Sequence, residues 1–344
     1  SVEVPQGSTI LDAARAANIH IPTLCFLKNV SDIASCRMCV VEVEGVQGLL
    51  PACSTLAEEG MQVTATSDAL DATRRLTLDL ILSSHGLNST NFCFSCKKNG
   101  ACELQDLGRE FGMEELSFEA PVKNAPVLDS NPFLSFNPNL CIACQRCVGA
   151  CNNAVGNHTL RTGKRGVRTT IQAPFGPNWK ATQCESCGNC AQACPTGALT
   201  EKRRGNYREW EVSRVRTTCP HCGCQLDLIV KGDEIVDAQA VNGPSNAGLL
   251  CVKGRSGSFD FVNSPDRITS PLVKNRETGE FEPVSWDDAL ALVAERFGAI
   301  KAEHGGESIA AFACSRSTNE DIYMLQKMAR CAFDTPNIDN CARV

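Results

Sequence analysis

The sequence predicts an α+β multidomain protein organised around grouped cysteines, and three observations carry that expectation. CIACQRCVGAC, beginning at Cys141, and CESCGNCAQACP, beginning at Cys184, both read C-x2-C-x2-C-x3-C, the spacing of bacterial ferredoxins that hold two cubane clusters. Cys25, Cys36, Cys39 and Cys53 read C-x10-C-x2-C-x13-C, a long loop, a close pair and one distant cysteine in the general manner of a 2Fe-2S site. The 344 residues hold 22 cysteines, mostly in tight groups, as expected of thiolates kept reduced in a cytosol and unlike a small disulfide scaffold.

Length and composition set the frame. A chain of 344 residues with 43% hydrophobic content accommodates roughly two to four globular domains. No signal peptide opens it, and no apolar run approaches the roughly 20 residues of a membrane helix, so the expectation is a soluble, cytoplasmic protein with no membrane span. The net charge of −6 argues against nucleic acid as a partner. Two basic stretches, Arg161 to Arg168 and Lys202 to Arg216, read as solvated faces or as a docking surface between domains or for an acidic partner.

In chain order, VEVPQGSTILDAARAANIHIPTLC places a turn at Pro5 to Gly7 and a cap at Ser8 or Thr9 before a short helix with Ile10, Leu11 and Ala14 on one face. Alternation at Val41 and Val43 predicts a strand leading away from the Cys36–Cys39 loop. Residues 68 to 83 read as an amphipathic helix with Leu76, Leu80 and Ile81 toward the core. Beyond it, Cys93, Cys96 and Cys102 are spaced C-x2-C-x5-C, one ligand short of a cube, with His85 at the end of the preceding helix. A lone histidine is usually structural, but a neutral imidazole is the usual replacement for a thiolate at iron. Pro121, Pro126, Pro132 and Pro138 make residues 103 to 140 a connector without one long element.

The doubled runs have a crossed ligand logic. Three cysteines of a C-x2-C-x2-C loop wrap one cube, while the fourth lies on the next helical turn and serves the other cube. Cys141, Cys144, Cys147 and Cys194 then hold one 4Fe-4S cluster, and Cys151, Cys184, Cys187 and Cys190 the second. Cysteine pairs also bind zinc or form disulfides, alternatives that eight cysteines in this register disfavour. Asn152 follows Cys151 where Pro195 follows Cys194, which alters the turn and not the ligand count. Farther on, Cys219, Cys222 and Cys224, with strands around them, and Cys251 make a fifth set, for another 4Fe-4S cluster. Cys314, Cys331 and Cys341 remain unassigned, in apolar or helical surroundings where inert buried thiols are the expectation. One 2Fe-2S and four 4Fe-4S clusters amount to about 18 iron atoms.

From residue 1 to about 205, the order GSTILDAARAANIHIPTLC, SCRMCVVEVEG, ILSSHGLNSTNFCFSCKKNGACELQ and the paired runs resembles the amino-terminal half of three related groups. These are the large iron-sulfur subunit of respiratory complex I, the iron-only hydrogenases and the cytoplasmic NAD-linked formate dehydrogenases. CPHCGC, LLCVKGR, NSPDRITSPLVK, PVSWDDAL and SRSTNEDIYMLQKMAR look like the opening of a molybdopterin oxidoreductase domain, and NIDNCARV resembles a formate dehydrogenase. An iron-only hydrogenase would need its own cluster-binding cysteine domain after the ferredoxin, and none is visible. The resemblance implies a β-grasp 2Fe-2S ferredoxin domain over residues 1–70, and over 71–120 a 4Fe-4S domain with one histidine and three cysteine ligands. It implies a two-cluster ferredoxin domain over 121–205, and over 206–344 a 4Fe-4S site with the opening portion of a molybdopterin oxidoreductase domain. Two spacings depart from the family: C-x2-C-x-C at Cys219 to Cys224 in place of C-x2-C-x3-C, and seven residues in place of three between His85 and Cys93.

The same resemblance implies a mechanism. Formate and carbon dioxide are interconverted at molybdenum or tungsten held by two pyranopterin guanine dinucleotides, with Lys253 between the Cys219 cluster and the pterin. Electrons then run through the clusters to a flavin- and iron-sulfur-containing NAD(P)-reducing, electron-bifurcating or hydrogenase assembly. The competing expectation is a non-catalytic electron-transfer subunit like that of complex I; a third is a free-standing ferredoxin-like carrier. The resemblance also implies a strand before VEVPQG, and a metal-ligating selenocysteine or cysteine directly after Val344, encoded in the first case by UGA. No catalytic residue is then expected within the 344 residues themselves.

Overall fold

A computed structural model describes residues 1–85, 91–118, 123–172, 181–202, 207–257 and 259–342. Pro121, residues 203–206 of the second basic stretch, and Val344 lie outside the described residues. The chain divides into two compact units, Ser1–Thr217 with Cys224–Gly257, and Thr218–Gly223 with Ser258–Val344.

The first unit begins with α1 (Ile10–Ala16), which starts where Thr9 and Asp12 cap each other: the Thr9 hydroxyl accepts from the Asp12 backbone at 3.1 Å, and the Asp12 carboxylate accepts from the Thr9 backbone at 3.2 Å. Its Ile10, Leu11 and Ala14 are buried, as their spacing predicts. They pack with Val41, Val43, Cys39 and Cys53, so α1 closes one side of a small antiparallel sheet. That sheet has the order β2-β1-β3, from β1 (Val40–Val43), β2 (Leu50–Pro51) and β3 (Val63–Thr64).

Next comes α2 (Asp68–Ser84), capped by Ser67 and ending at His85. Its buried stripe is Leu70, Arg74, Leu78 and Leu82, while Leu76 and Leu80 are half exposed, which corrects the face expected from the sequence. The reason is Arg74, which breaks the apolar periodicity yet faces inward. Its guanidinium donates to the carbonyls of Val40 at 2.9 Å and Ala65 at 2.8 Å, satisfying strand-edge oxygens that apolar packing would leave unpaired. Leu78 and Leu82 share a core with Leu24, Met38, Cys102, Leu104 and Leu107. That core joins α2 to the segment carrying α3 (Asn91–Ser95) and α4 (Glu103–Glu110).

The doubled cysteine runs occupy a layer of short elements: β4 (Leu134–Phe136), α5 (Arg146–Gly149), β5 (Arg161–Gly163), β6 (Thr170–Gln172), α6 (Asn189–Ala193) and β7 (Leu199–Glu201). β4 pairs antiparallel with β7, and β5 with β6. Phe136, Leu134, Leu160, Ile171 and Leu199 fill the core between them. The unit ends with the sheet β10-β9-β8, from β8 (Ser213–Thr218), β9 (Gln225–Lys231) and β10 (Glu234–Ala240), and with the single-turn helix α7 (Val252–Ser256).

In the second unit a hairpin of β11 (Leu272–Lys274) and β12 (Phe281–Pro283) precedes α8 (Trp286–His304), whose start is capped by Ser285. β13 (Ala311–Ala313), α9 (Asn319–Cys331) and β14 (Ile338–Asn340) then form a parallel β-α-β unit. Cys314, Cys331 and Cys341 are all exposed, against the expectation of buried thiols. α9 buries one side chain, Ala329, so the apolar residues around these cysteines do not close into a core over them. Among the described residues no helix is long and apolar enough to cross a membrane.

Candidate metal centres

The two C-x2-C-x2-C loops have the same backbone. In the first, Ala143 (φ 56°) and Gln145 (φ 61°) turn left-handed on either side of Cys144; in the second, Ser186 (φ 55°) and Gly188 (φ 78°) do so around Cys187. Such a conformation costs a non-glycine residue about 1 kcal/mol or more. It folds the loop so that the Ala143 N–H reaches the Cys141 Sγ, and the Ser186 N–H the Cys184 Sγ, each at 3.4 Å. Donors aimed at sulfur favour the thiolate form and suit a cluster ligand.

The fourth cysteines cross over. One cavity is lined by Cys141, Cys144, Cys147 and Cys194; a second by Cys151, Cys184, Cys187 and Cys190. Burial raises the Cys144 thiol to about 12 and holds Cys147 and Cys190 well above their ordinary value. These three thiols are therefore protonated when free and must lose protons to bind metal. Residue 152 explains how the fourth cysteines are presented. Pro195 forces Cys194 out of the helix (φ −70°, ψ 120°), whereas Asn152 lets the first run continue as a π-helical turn over Ala150–Ala154 that contains Cys151.

A third cavity is lined by His85, Cys93, Cys96 and Cys102 with Gln105, Leu140 and Gly197. His85 is buried, and its Nδ1 has no hydrogen-bond partner among the described residues. Burial, reinforced by the Lys123 ammonium, lowers its pKa to about 4, so the imidazole is neutral and chemically fit to ligate. Gly197 lies so close to the Cys96 Sγ that a Cβ there would collide with it. Arg208 donates to the carbonyls of Cys96 and Phe94, both at 2.7 Å, and secures the loop. The basic stretch from Lys202 is therefore in part an internal clamp: Lys202, Arg214 and Arg216 also pair within the chain, with Asp129, Glu209 and Asp227. Arg161, Lys164, Arg165 and Arg168 form the solvated face instead.

Near the amino terminus, Cys25 and Cys36 exchange backbone N–H to sulfur contacts of 3.4 Å each way. The S–H that Cys36 donates lowers Cys25 to about 5, and that of Cys53 lowers Cys39 to about 7, while Cys36 and Cys53 are raised. Cys219 and Cys222 belong to the second compact unit, Cys224 and Cys251 to the first. Cys219 is buried, Cys224 half-buried, and Cys222 and Cys251 exposed. Lys253 is exposed on α7, two residues past Cys251. None of the 22 cysteines is in a disulfide.

Comparison with known proteins gives five successive matches. Residues 1–68 match a 2Fe-2S iron-sulfur cluster binding domain, 74–116 the NADH-ubiquinone oxidoreductase-G iron-sulfur binding region, and 131–200 the ferredoxin-like domain of NADH-quinone oxidoreductase subunit 3. Residues 212–264 match the molybdopterin oxidoreductase Fe4S4 domain, and 267–344 molybdopterin oxidoreductase itself. The chain belongs to the molybdopterin oxidoreductase family. Among the relatives of this family member, the second NADH-quinone oxidoreductase G chain of Rhizobium meliloti is 38% identical over 100% of the chain and 39% of the relative. NADPH-Fe(3+) oxidoreductase subunit alpha of Geobacter sulfurreducens is 36% identical over 100% and 39%. A chain of an NAD+-reducing [NiFe]-hydrogenase, solved in the H2-reduced state, superposes with a TM-score of 0.54 at 33% identity, over 60% of this chain and 85% of that one. The chain thus spans about two fifths of the length of the curated relatives it matches. Its layout is that of consecutive 2Fe-2S, 4Fe-4S and ferredoxin-like modules before a molybdopterin oxidoreductase start.

Sequence reasoning about this family member missed the polar groups behind the loops: Arg146, Asn189, Arg255 and Arg208. Arg146 and Asn189 each precede the third cysteine of a run, and that shared position was the available signal.

Proposed function

We propose that the chain is the iron-sulfur electron-transfer part of a formate dehydrogenase catalytic subunit. The observation that carries the electron-transfer reading is the sorting of twelve residues into three cavities by ligand set, the crossed cysteines and His85 included. In this reading Cys25, Cys36, Cys39 and Cys53 hold a 2Fe-2S cluster. His85 with Cys93, Cys96 and Cys102, the two crossed quartets, and Cys219, Cys222, Cys224 and Cys251 hold four 4Fe-4S clusters. The clusters supply one-electron transfer. The chain's own residues bury or half-bury the sulfurs of the three cavities, aim backbone N–H groups at Cys141 and Cys184, and keep the His85 imidazole neutral. Lys253 sits between the last cluster and a molybdenum or tungsten bis-pyranopterin guanine dinucleotide, and a cytoplasmic flavin- and iron-sulfur-containing NAD(P)-linked assembly is the partner.

Formate as substrate is supported by the NIDNCARV segment and by a provisionally named formate dehydrogenase of Staphylococcus haemolyticus, 30% identical over 99% of this chain and 38% of that protein. The higher identity to an NADH-quinone oxidoreductase G chain favours a second reading, a non-catalytic relay. Metal analysis of the native full-length protein separates the two. The formate reading expects molybdenum or tungsten with guanine nucleotide, and clusters reduced by formate; iron alone, with no response to formate, leaves the relay reading.

A further inference from the structure

Asn189 stands one residue before Cys190 at the start of α6, and each of its amide atoms is engaged. Its Nδ2 donates to the Cys187 Sγ at 3.3 Å and to the Leu250 carbonyl at 2.8 Å. Its Oδ1 accepts from the Leu250 backbone at 3.1 Å and from an Arg255 Nη2 at 3.1 Å. Two donors thus fix the oxygen, so the amide cannot turn over, and the N–H must face the sulfur. Arg255 is buried, and each of its three nitrogens is engaged. Its Nε donates to the Cys187 carbonyl at 2.9 Å, its Nη1 pairs with Glu201 at 3.1 Å, and its Nη2 also reaches Gln192 at 2.8 Å. Gly188 makes room for it, since a Cβ there would collide with the Arg255 side chain. Leu250 precedes Cys251 directly and Arg255 follows four residues after it, so both arms of the network grip the loop that carries this cysteine.

We infer that Asn189, locked by Arg255, is a positioning residue that raises the reduction potential of the Cys151/Cys184/Cys187/Cys190 site and holds the Cys251 loop beside it. The inference rests on those four cysteines holding a 4Fe-4S cluster. An N–H directed at a ligand sulfur and a guanidinium nearby both favour the more negative, reduced state. Glu201 offsets part of the Arg255 charge, which leaves the oriented amide as the lever. Structural tightening alone would not require a hydrogen bond to sulfur, and its loss would not select one cluster.

The test is a redox titration monitored by electron paramagnetic resonance on the anaerobically purified, cluster-loaded full-length protein. At a fixed poise, Asn189→Leu lowers the reduced-to-oxidised ratio of one 4Fe-4S cluster about fivefold, the scale of the net contribution of one hydrogen bond. Asn189→Asp, which puts a carboxylate against the sulfur, lowers it further. Arg255→Lys keeps the charge, loses the fork and falls between the parent and Asn189→Leu. If the leucine variant loads poorly, the aspartate and lysine variants decide the matter. Potentials unchanged at full iron content overturn the inference, as does an equal shift of every cluster. Cys187→Ser keeps the two ideas apart. If it removes no 4Fe-4S signal, the ligand assignment itself is wrong. If it removes one while no Asn189 or Arg255 variant shifts any potential, the tuning role alone fails.

Discussion

The loops Cys141–Cys147 and Cys184–Cys190 have one backbone and two surroundings. Both turn left-handed beside the middle cysteine, and both aim an N–H at the first sulfur. They diverge at the residue before the third cysteine. There Arg146 forms a two-pronged pair with Glu103, at 2.6 and 2.8 Å, and Glu103 follows Cys102. Asn189 at the equivalent place reaches Leu250, which precedes Cys251. Gln145 occupies the site where Gly188 admits Arg255. The comparison teaches that a duplicated loop keeps the geometry its sulfurs need, while the residue before the third cysteine addresses a different neighbouring cysteine segment on each side.

The largest effect expected from breaking this symmetry is at the crossed cysteines. Cys194→Ser and Cys144→Ser should abolish the same 4Fe-4S resonance and each cost about four iron atoms, and Cys151→Ser should share its lost resonance with Cys187→Ser. Iron analysis with spectra of the four variants is the measurement. Were Cys194→Ser to lose the same signal as Cys187→Ser, the crossing would be wrong.

Gly188→Gln and Gln145→Gly exchange the two surroundings. The first imposes φ 78° on a side chain and displaces a buried arginine from Glu201, at a cost of about 3 kcal/mol or more. The second removes one hydrogen bond, from the Thr162 hydroxyl at 2.9 Å, and relieves left-handed strain, so its net effect is below about 1 kcal/mol. Anaerobic thermal unfolding followed by cluster bleaching should show a large fall in midpoint for the first and little for the second; equal falls would mean that Arg255 does not depend on the glycine.

What the sequence disclosed and what it withheld follow from the same physics. Cysteine spacing is read directly from the chain, and the residues grouped by spacing as two quartets and the His85 set line three cavities. The α1 face was legible because Ile10, Leu11 and Ala14 are apolar and buried together. The α2 face was not, since a buried arginine stands at the second position of its stripe and looks, in sequence, like solvent-facing polarity. Arg255 and Asn189 were hidden for a related reason: their partners are backbone atoms and distant side chains, which leave no periodic mark. The exposure of Cys314, Cys331 and Cys341 was misjudged because helical, apolar neighbours predict burial only where a second layer covers them.

The smallest expected effect tests whether Arg146 and Glu103 contribute equally to their pair. The Arg146 side chain is 4% exposed and Glu103 is 49% exposed, so the two ends have unlike alternatives once the bond is cut. In Glu103→Ala the guanidinium stays buried without its counter-charge, and the Arg146 Nε already lacks a partner among the described residues. That variant should lose about 2 kcal/mol, less than a fully enclosed pair because water reaches the vacated side. In Arg146→Met the thioether keeps most of the packing while Glu103 turns to solvent, and the loss should be about 1 kcal/mol. Thermal midpoints of the two cluster-loaded variants, measured side by side, decide the order. A methionine variant less stable than the alanine variant would mean that Arg146 acts mainly through contacts other than Glu103, and the parallel between Arg146 and Asn189 would then rest on position alone.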